Sequence, residues 1–302
     1  MDVVLALLAA LLFALGSVLQ QKAGLDAPDA SSGSSSGLIL RMARKPVWLA
    51  GIAADALGFV GQAVALTIGR LAVVQPLLAT SMIFALPLGR RLTAQRITRN
   101  DVGAAILVTV SLIAFLTIAD PSGGRDDAPV GEWLVLGAAV AGVCVPLTLA
   151  SLRVRPAVKA TLLGIVTGIL FGLSAALTKA VGDEVADDLL GVFTDWHLYA
   201  LGAVGYVSMT FNQLALTTGV LAPALAAMMA FDPITSVVIG TTLLDESLHE
   251  TPAGIAATLG ALAATLAGMV LLARSSRGRT ATKPGSGTAL GAGAATAPAA
   301  GP

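Results

Sequence analysis

Charge is what this sequence has least of. Only 12% of its 302 residues are Asp, Glu, Lys or Arg, whereas a water-soluble domain carries about 25%. Cysteine occurs once, as Cys144 inside an apolar block, which excludes an internal disulfide and any cysteine-based metal cluster. The two histidines, His197 and His249, stand at the edges of apolar blocks and far apart in sequence. There is no GxxxxGK[ST] phosphate loop and no HExxH, so nothing suggests ATP-driven transport or soluble-type catalysis. The chain reads as a non-enzyme with no cofactor, and nucleic acid is not among its expected partners. What the sequence does have is apolar length. Hydrophobic residues make up 56%, mean hydropathy is +0.85, and the apolar blocks run to about 20 residues, enough to cross a ~30 Å hydrocarbon core as helix. These features predict an all-α membrane protein whose partner is the lipid bilayer.

Uncharged blocks bounded by charges, Gly or Pro predict nine transmembrane helices, near 2–21, 47–69, 71–89, 101–119, 131–151, 159–181, 197–218, 220–243 and 252–273. Met1-Asp2 lacks the basic region of a cleaved signal peptide, so the first block is expected to be a retained span. "DAPDASSGSSSG" (26–37) reads as a flexible loop, and 274–302 as a disordered cytoplasmic tail. Nine spans place 15 basic residues on one side and 3, Arg70, Arg125 and Lys179, on the other. Basic residues concentrate in cytoplasmic loops, which puts the N-terminus outside and the C-terminus inside the cytoplasmic membrane. The acidic loops, among them Asp126, Asp127, Asp183 and Glu246, then face out. They read as solvated loops or as a surface that gathers cations.

The chain also repeats itself. "LFALGSVLQQKAG" (12–24) aligns with "LFGLSAALTKAVG" (170–182), and "ALTIGRL" (65–71) with "ALTTGVL" (215–221). Repeat 1 covers about 1–119 and repeat 2 about 159–273, with 131–151 as a linking helix, all within a transporter domain of 1–273. The second copy starts five helices after the first, an odd number, so the copies have inverted topology, a common build of secondary transporters. Gly164, Gly168 and Gly172, like Ala6, Ala10 and Ala14, form small-residue stripes that allow close helix approach.

Polar residues inside apolar blocks mark the candidate site. Asp232 and Asp55 are the two carboxylates away from the ends of the spans, and a mid-membrane Asp costs at least about 2.5 kcal/mol to insert. Each is expected to face the bundle interior, as a proton- or cation-exchanging group or as a metal ligand, or else to serve as a structural hydrogen-bond acceptor. Gln62 lies two turns after Asp55 and corresponds by repeat to Asn212, so each half offers a carboxamide. Gln75, Tyr206, Gln20, Gln21 and Lys179 are further candidates for substrate or ion binding. Pro76 and Pro87 in one half, and Pro223 and Pro233 in the other, are expected to kink their helices, and paired Pro-interrupted spans point to a transporter's binding site.

The stretch "GQAVALTIGRLAVVQPLLATSMIFALPLGRRL" (61–92) and its echo "FNQLALTTGVLAPALAAM…GTTLLDESL" (211–248) resemble the drug/metabolite transporter (EamA-like) superfamily, and within it the NIPA-type magnesium transporters and their actinobacterial relatives. Glu246-Ser-Leu248 matches that superfamily's closing signature, whereas the first copy has Gln95-Arg-Ile97 in its place. The resemblance implies a secondary transporter or facilitator working by alternating access, with Mg²⁺ or another cation as solute. Export of a metabolite or drug coupled to protons is the alternative, a non-transporting scaffold or sensor a remote one, and a homodimer is left open.

Overall fold

The computed structural model describes residues 1–25, 45–93, 97–218, 221–248 and 251–277. Ten α-helices account for most of them: α1 (Asp2–Leu25), α2 (Pro46–Ile68), α3 (Leu71–Leu78), α4 (Ser81–Thr93), α5 (Arg99–Ala119), α6 (Val130–Ser151), α7 (Pro156–Asp187), α8 (Trp196–Leu216), α9 (Leu221–Thr242) and α10 (Pro252–Arg277). Two-residue strands β1 (Ser122–Gly123) and β2 (Glu246–Ser247) form an antiparallel ribbon. The expected loop 26–37 lies outside the described residues, as does the tail beyond Arg277; α10 itself continues past the expected end at 273.

The helix ends follow local chemistry. Pro46 and Pro156 open α2 and α7, where a missing N–H is harmless. α5 opens on a capping box: Asp101 N–H donates to Thr98 Oγ1 at 3.2 Å, and Thr98 N–H donates to Asp101 Oδ2 at 2.7 Å. Asp195 caps α8 by accepting from His197 N–H at 2.7 Å.

Eight helical spans among the described residues are long and apolar enough to cross a membrane, with 71–93 counted as one span. α8 is 21 residues long, but His197, Asn212 and Gln213 dilute its hydropathy. Outward faces carry Val60, Ile106, Val110, Leu134 and Leu149, each more than half exposed. In water such a surface would be an aggregation liability, whereas hydrocarbon solvates it. The chain is an all-α membrane protein with multiple spans.

The prolines behave unequally. The span 71–93 is interrupted at Ala79–Thr80, three residues after Pro76, where Thr80 N–H turns back to Leu77 O at 3.0 Å. The single helix expected over 71–89 is therefore two. α4 continues through Pro87 and α9 through Pro233, while Pro223 sits in the first turn of α9, where a proline is tolerated.

α7 is the most deeply buried span and the hub of the fold. Its glycine stripe explains how it packs. A Cβ on Gly168 would lie 2.7 Å from Met228 O and 3.0 Å from Asp232 N, and one on Gly172 would lie 3.0 Å from Asp232 O; Gly164 meets the Ala224 carbonyl even more closely. The backbones of α7 and α9 are thus in direct contact, and that contact fixes where Asp232 stands. On the other side of the core, Ala6, Ala10 and Ala14 of α1 are buried, and α1 packs on α2, α3 and α4. α5 pairs with α10, joined by the buried Thr265–Ser111 hydroxyl bond of 2.9 Å.

Candidate functional site

Helices α1, α2, α3, α4, α7, α8, α9 and α10 enclose a cavity of about 620 Å³. Of the residues singled out from sequence, Gln62, Gln75, Asp232 and Pro233 line it. They come from α2, α3 and α9, so residues remote in sequence converge on one space. Ser81, Ser174, Thr178 and Ser208 add hydroxyls. The remaining wall is apolar and soft: Phe13, Phe59 and Phe171, with Met82, Met209, Met229 and Met269. The chain has seven methionines, so more than half of them face this space. That concentration was a signal in the sequence, but composition alone could not show that the four converge.

Three buried polar atoms on this wall have no hydrogen-bond partner: Asp232 Oδ1, Gln75 Nε2 and Ser174 Oγ. Burying a polar group unpaired costs about 1–3 kcal/mol, so a wall with three such atoms is poised for something that pairs them. Pro233 adds to this polarity. Its ring nitrogen cannot donate to the Met229 carbonyl one turn earlier, and Met229 also lines the cavity.

The other candidates lie elsewhere. Asp55 does not join Asp232. It accepts a hydrogen bond from Gln20 Nε2 between α1 and α2, and its carboxyl packs against Gly16, where any Cβ would collide with it. Asp55 does not line the cavity that Asp232 lines, and no group of three His, Cys, Asp or Glu among the described residues could hold a metal ion. Tyr206 is 77% exposed. The cavity-facing side of α8 carries Gly202, Gly205, Ser208 and Met209, which turns Tyr206 outward. Asn212, also on α8, is only partly buried and does not line the cavity.

A second polar cluster, whose members the sequence did not bring together, closes the bundle at the ribbon end. Glu246 accepts from the first amides of α3, Leu71 N–H at 2.6 Å and Ala72 N–H at 2.9 Å. A carboxylate at a helix N-terminus meets both orphan donors and the positive end of the helix dipole. Lys179, itself buried, donates to Leu66 O at 3.2 Å and Gly69 O at 3.4 Å, the C-terminal carbonyls of α2, and to Asp126 Oδ1 at 3.2 Å. The α2–α3 turn is thus gripped by a cation at one helix end and an anion at the other, both supplied by the second half of the chain. Arg70 Nε donates to Gly123 O at 3.1 Å, and Arg125 Nε to Leu243 O at 2.9 Å. Burial raises the Glu246 carboxyl above its ordinary pKa, against the pull of the two amides, Lys179 and Arg70.

An uncharacterized protein of Corynebacterium glutamicum is 34% identical to this chain over 251 residues, covering 82% of the chain and 86% of that protein. The chain belongs to the same family as that protein. No family model matches the chain, and no solved structure matches it.

Proposed function

We propose that this protein is a multi-pass secondary transporter of the drug/metabolite transporter kind, which moves a small solute across the cytoplasmic membrane by alternating access. The observation that carries the reading is the cavity wall, with Asp232 Oδ1, Gln75 Nε2 and Ser174 Oγ buried and unpartnered around one space. A carboxylate kept from any partner in the middle of a membrane protein costs stability and earns its place by binding and releasing something. The solute is a cation, Mg²⁺ among the candidates, or an organic molecule exchanged for protons; either uses the same carboxylate.

Two further observations support alternating access. α7 packs on α9, and α1 packs on α3 and α4, which are the matching pairs if the halves are inverted repeats. The ribbon end is closed by Glu246 and Lys179, both from the second half and gripping the first. In this reading the N-terminus is outside, the C-terminus inside, and the ribbon end is the outer gate.

Uptake by proteoliposomes of purified protein tests the proposal. Asp232→Asn keeps the shape of the side chain and removes its charge, so it is expected to insert normally and to abolish transport, with Asp232→Glu partly active. Transport by Asp232→Asn at the wild-type rate and normal abundance would refute it.

A further inference from the structure

Resting on the outer-gate reading above, we infer that Lys179 is a two-position latch. It closes the gate by reaching across to α2, and it opens the gate by falling back onto Asp183 of its own helix. A count of hydrogen bonds leads there. An ammonium has three N–H donors and no acceptor. Four oxygens surround Lys179 Nζ: Leu66 O at 3.2 Å, Gly69 O at 3.4 Å, Asp126 Oδ1 at 3.2 Å and Asp183 Oδ2 at 3.8 Å. The first three take the three protons. Asp183 Oδ2 is left buried with no hydrogen-bond partner, although it stands one turn along α7 from the lysine, where residues four apart are neighbours.

The two positions differ in what they hold together. In the observed one, Nζ ties α7 to the last carbonyls of α2 and to Asp126 in the segment between β1 and α6. In the other, lysine and carboxylate belong to one helix, and nothing binds α2 to α7 through this residue. The positions are closely balanced for opposite reasons. The Asp126 side chain is 77% exposed, and an ion pair in water contributes little, but two α2 carbonyls add to it. The Asp183 side chain is only 19% exposed, and a buried carboxylate oxygen without a donor draws the ammonium toward it. Lysine has a flexible four-carbon stem, and Nζ need move only about 1 Å to reach hydrogen-bonding distance of Asp183. Each donor turned to Asp183 is taken from α2 or from Asp126. The Gly69 carbonyl, at 3.4 Å, is the first to be released.

Distances between spin labels in lipid nanodiscs test this without any solute. Cysteines replace Ile68 at the end of α2 and Val185 on α7, both exposed, in a Cys144→Ala background that removes the chain's single native cysteine. A short distance, that of the structure, and a longer one are expected. Asp183→Asn is expected to raise the short-to-long ratio about fivefold, and Asp126→Asn to lower it about twofold, since one partner is buried and the other exposed. In a Lys179→Gln background neither substitution is expected to change the ratio, because the group they compete for is gone. Should that background not fold, the opposite signs of the two acid substitutions decide. Shifts of the same sign, no shift, or shifts that persist in Lys179→Gln would overturn the latch. One distance in every variant, with solute uptake intact, would overturn it and leave transport standing. The expected opposite shifts without uptake of any solute would sustain it and count against transport.

Discussion

Asp232 and Glu246 are both carboxylates withdrawn from water, and the protein treats them in opposite ways. Glu246 has each oxygen matched to a backbone amide, at 2.6 and 2.9 Å, and buried Lys179 nearby spends its three donors on two carbonyls and Asp126. Asp232 Oδ1 has nothing. The first arrangement holds two halves of a chain together, and the second leaves a vacancy in the hydrogen bonding. On the proposed function, the difference separates a structural charge from a working one more clearly than burial does.

Removing each carboxylate should break or sharpen that contrast. Glu246→Ala leaves the Leu71 and Ala72 amides without acceptors, and each such orphan costs about 1–3 kcal/mol. A marked drop in thermal stability of the purified protein is expected, whereas Asp232→Asn, which orphans no partner, should melt close to wild type. Equal destabilisation by the two would erase the distinction.

A smaller effect is expected where backbone contact positions Asp232. Gly168→Ala would put a methyl 2.7 Å from Met228 O and 3.0 Å from Asp232 N, forcing α7 and α9 apart at a cost of about 1–3 kcal/mol. Gly202 lines the same cavity with nothing within 4 Å of an added Cβ, and Gly202→Ala should change stability by less than about 0.5 kcal/mol. Melting curves of the two variants compare them directly.

The smallest effect should be in pH. Because burial raises the Glu246 carboxyl when folded, the folded chain holds that proton more readily than the unfolded one. Its contribution is complete below the ordinary glutamate value and is lost as pH climbs through the folded value. Raising the pH should therefore lower the melting temperature of the wild type relative to Glu246→Gln, which does not titrate. A gap that stays constant with pH would place the Glu246 pKa at its ordinary value.

Span lengths were legible because hydropathy is a one-dimensional property: 47–69 became Pro46–Ile68, and 131–151 became Val130–Ser151. Helix rotation was not. Tyr206 and Met209 are neighbours on α8, yet one faces outward and the other the cavity, and an apolar helix offers little amphipathic pattern to tell them apart. The surroundings of Asp55 were hidden for the same reason, since its partner Gln20 and the space left by Gly16 lie on another helix. Asp232 and Gln75 stood out because polar residues beside prolines are rare in such runs. The grip on the α2–α3 turn was hidden because Lys179 and Glu246 look, in sequence, like the charged edges of spans.

The interruption at Ala79–Thr80 has an electrical consequence. It cuts one span into two peptide dipoles laid head to tail, so the carbonyl-rich end of α3 and the amide-rich end of α4 meet at one point. Leu78, Ala79 and Ser81 at that junction line the cavity. The backbone there presents a negative and a positive partial charge within one turn, at mid-span, where an unbroken helix would present neither. A molecule bound there would meet a local field that owes nothing to any ionisable side chain and does not vanish when Asp232 is protonated.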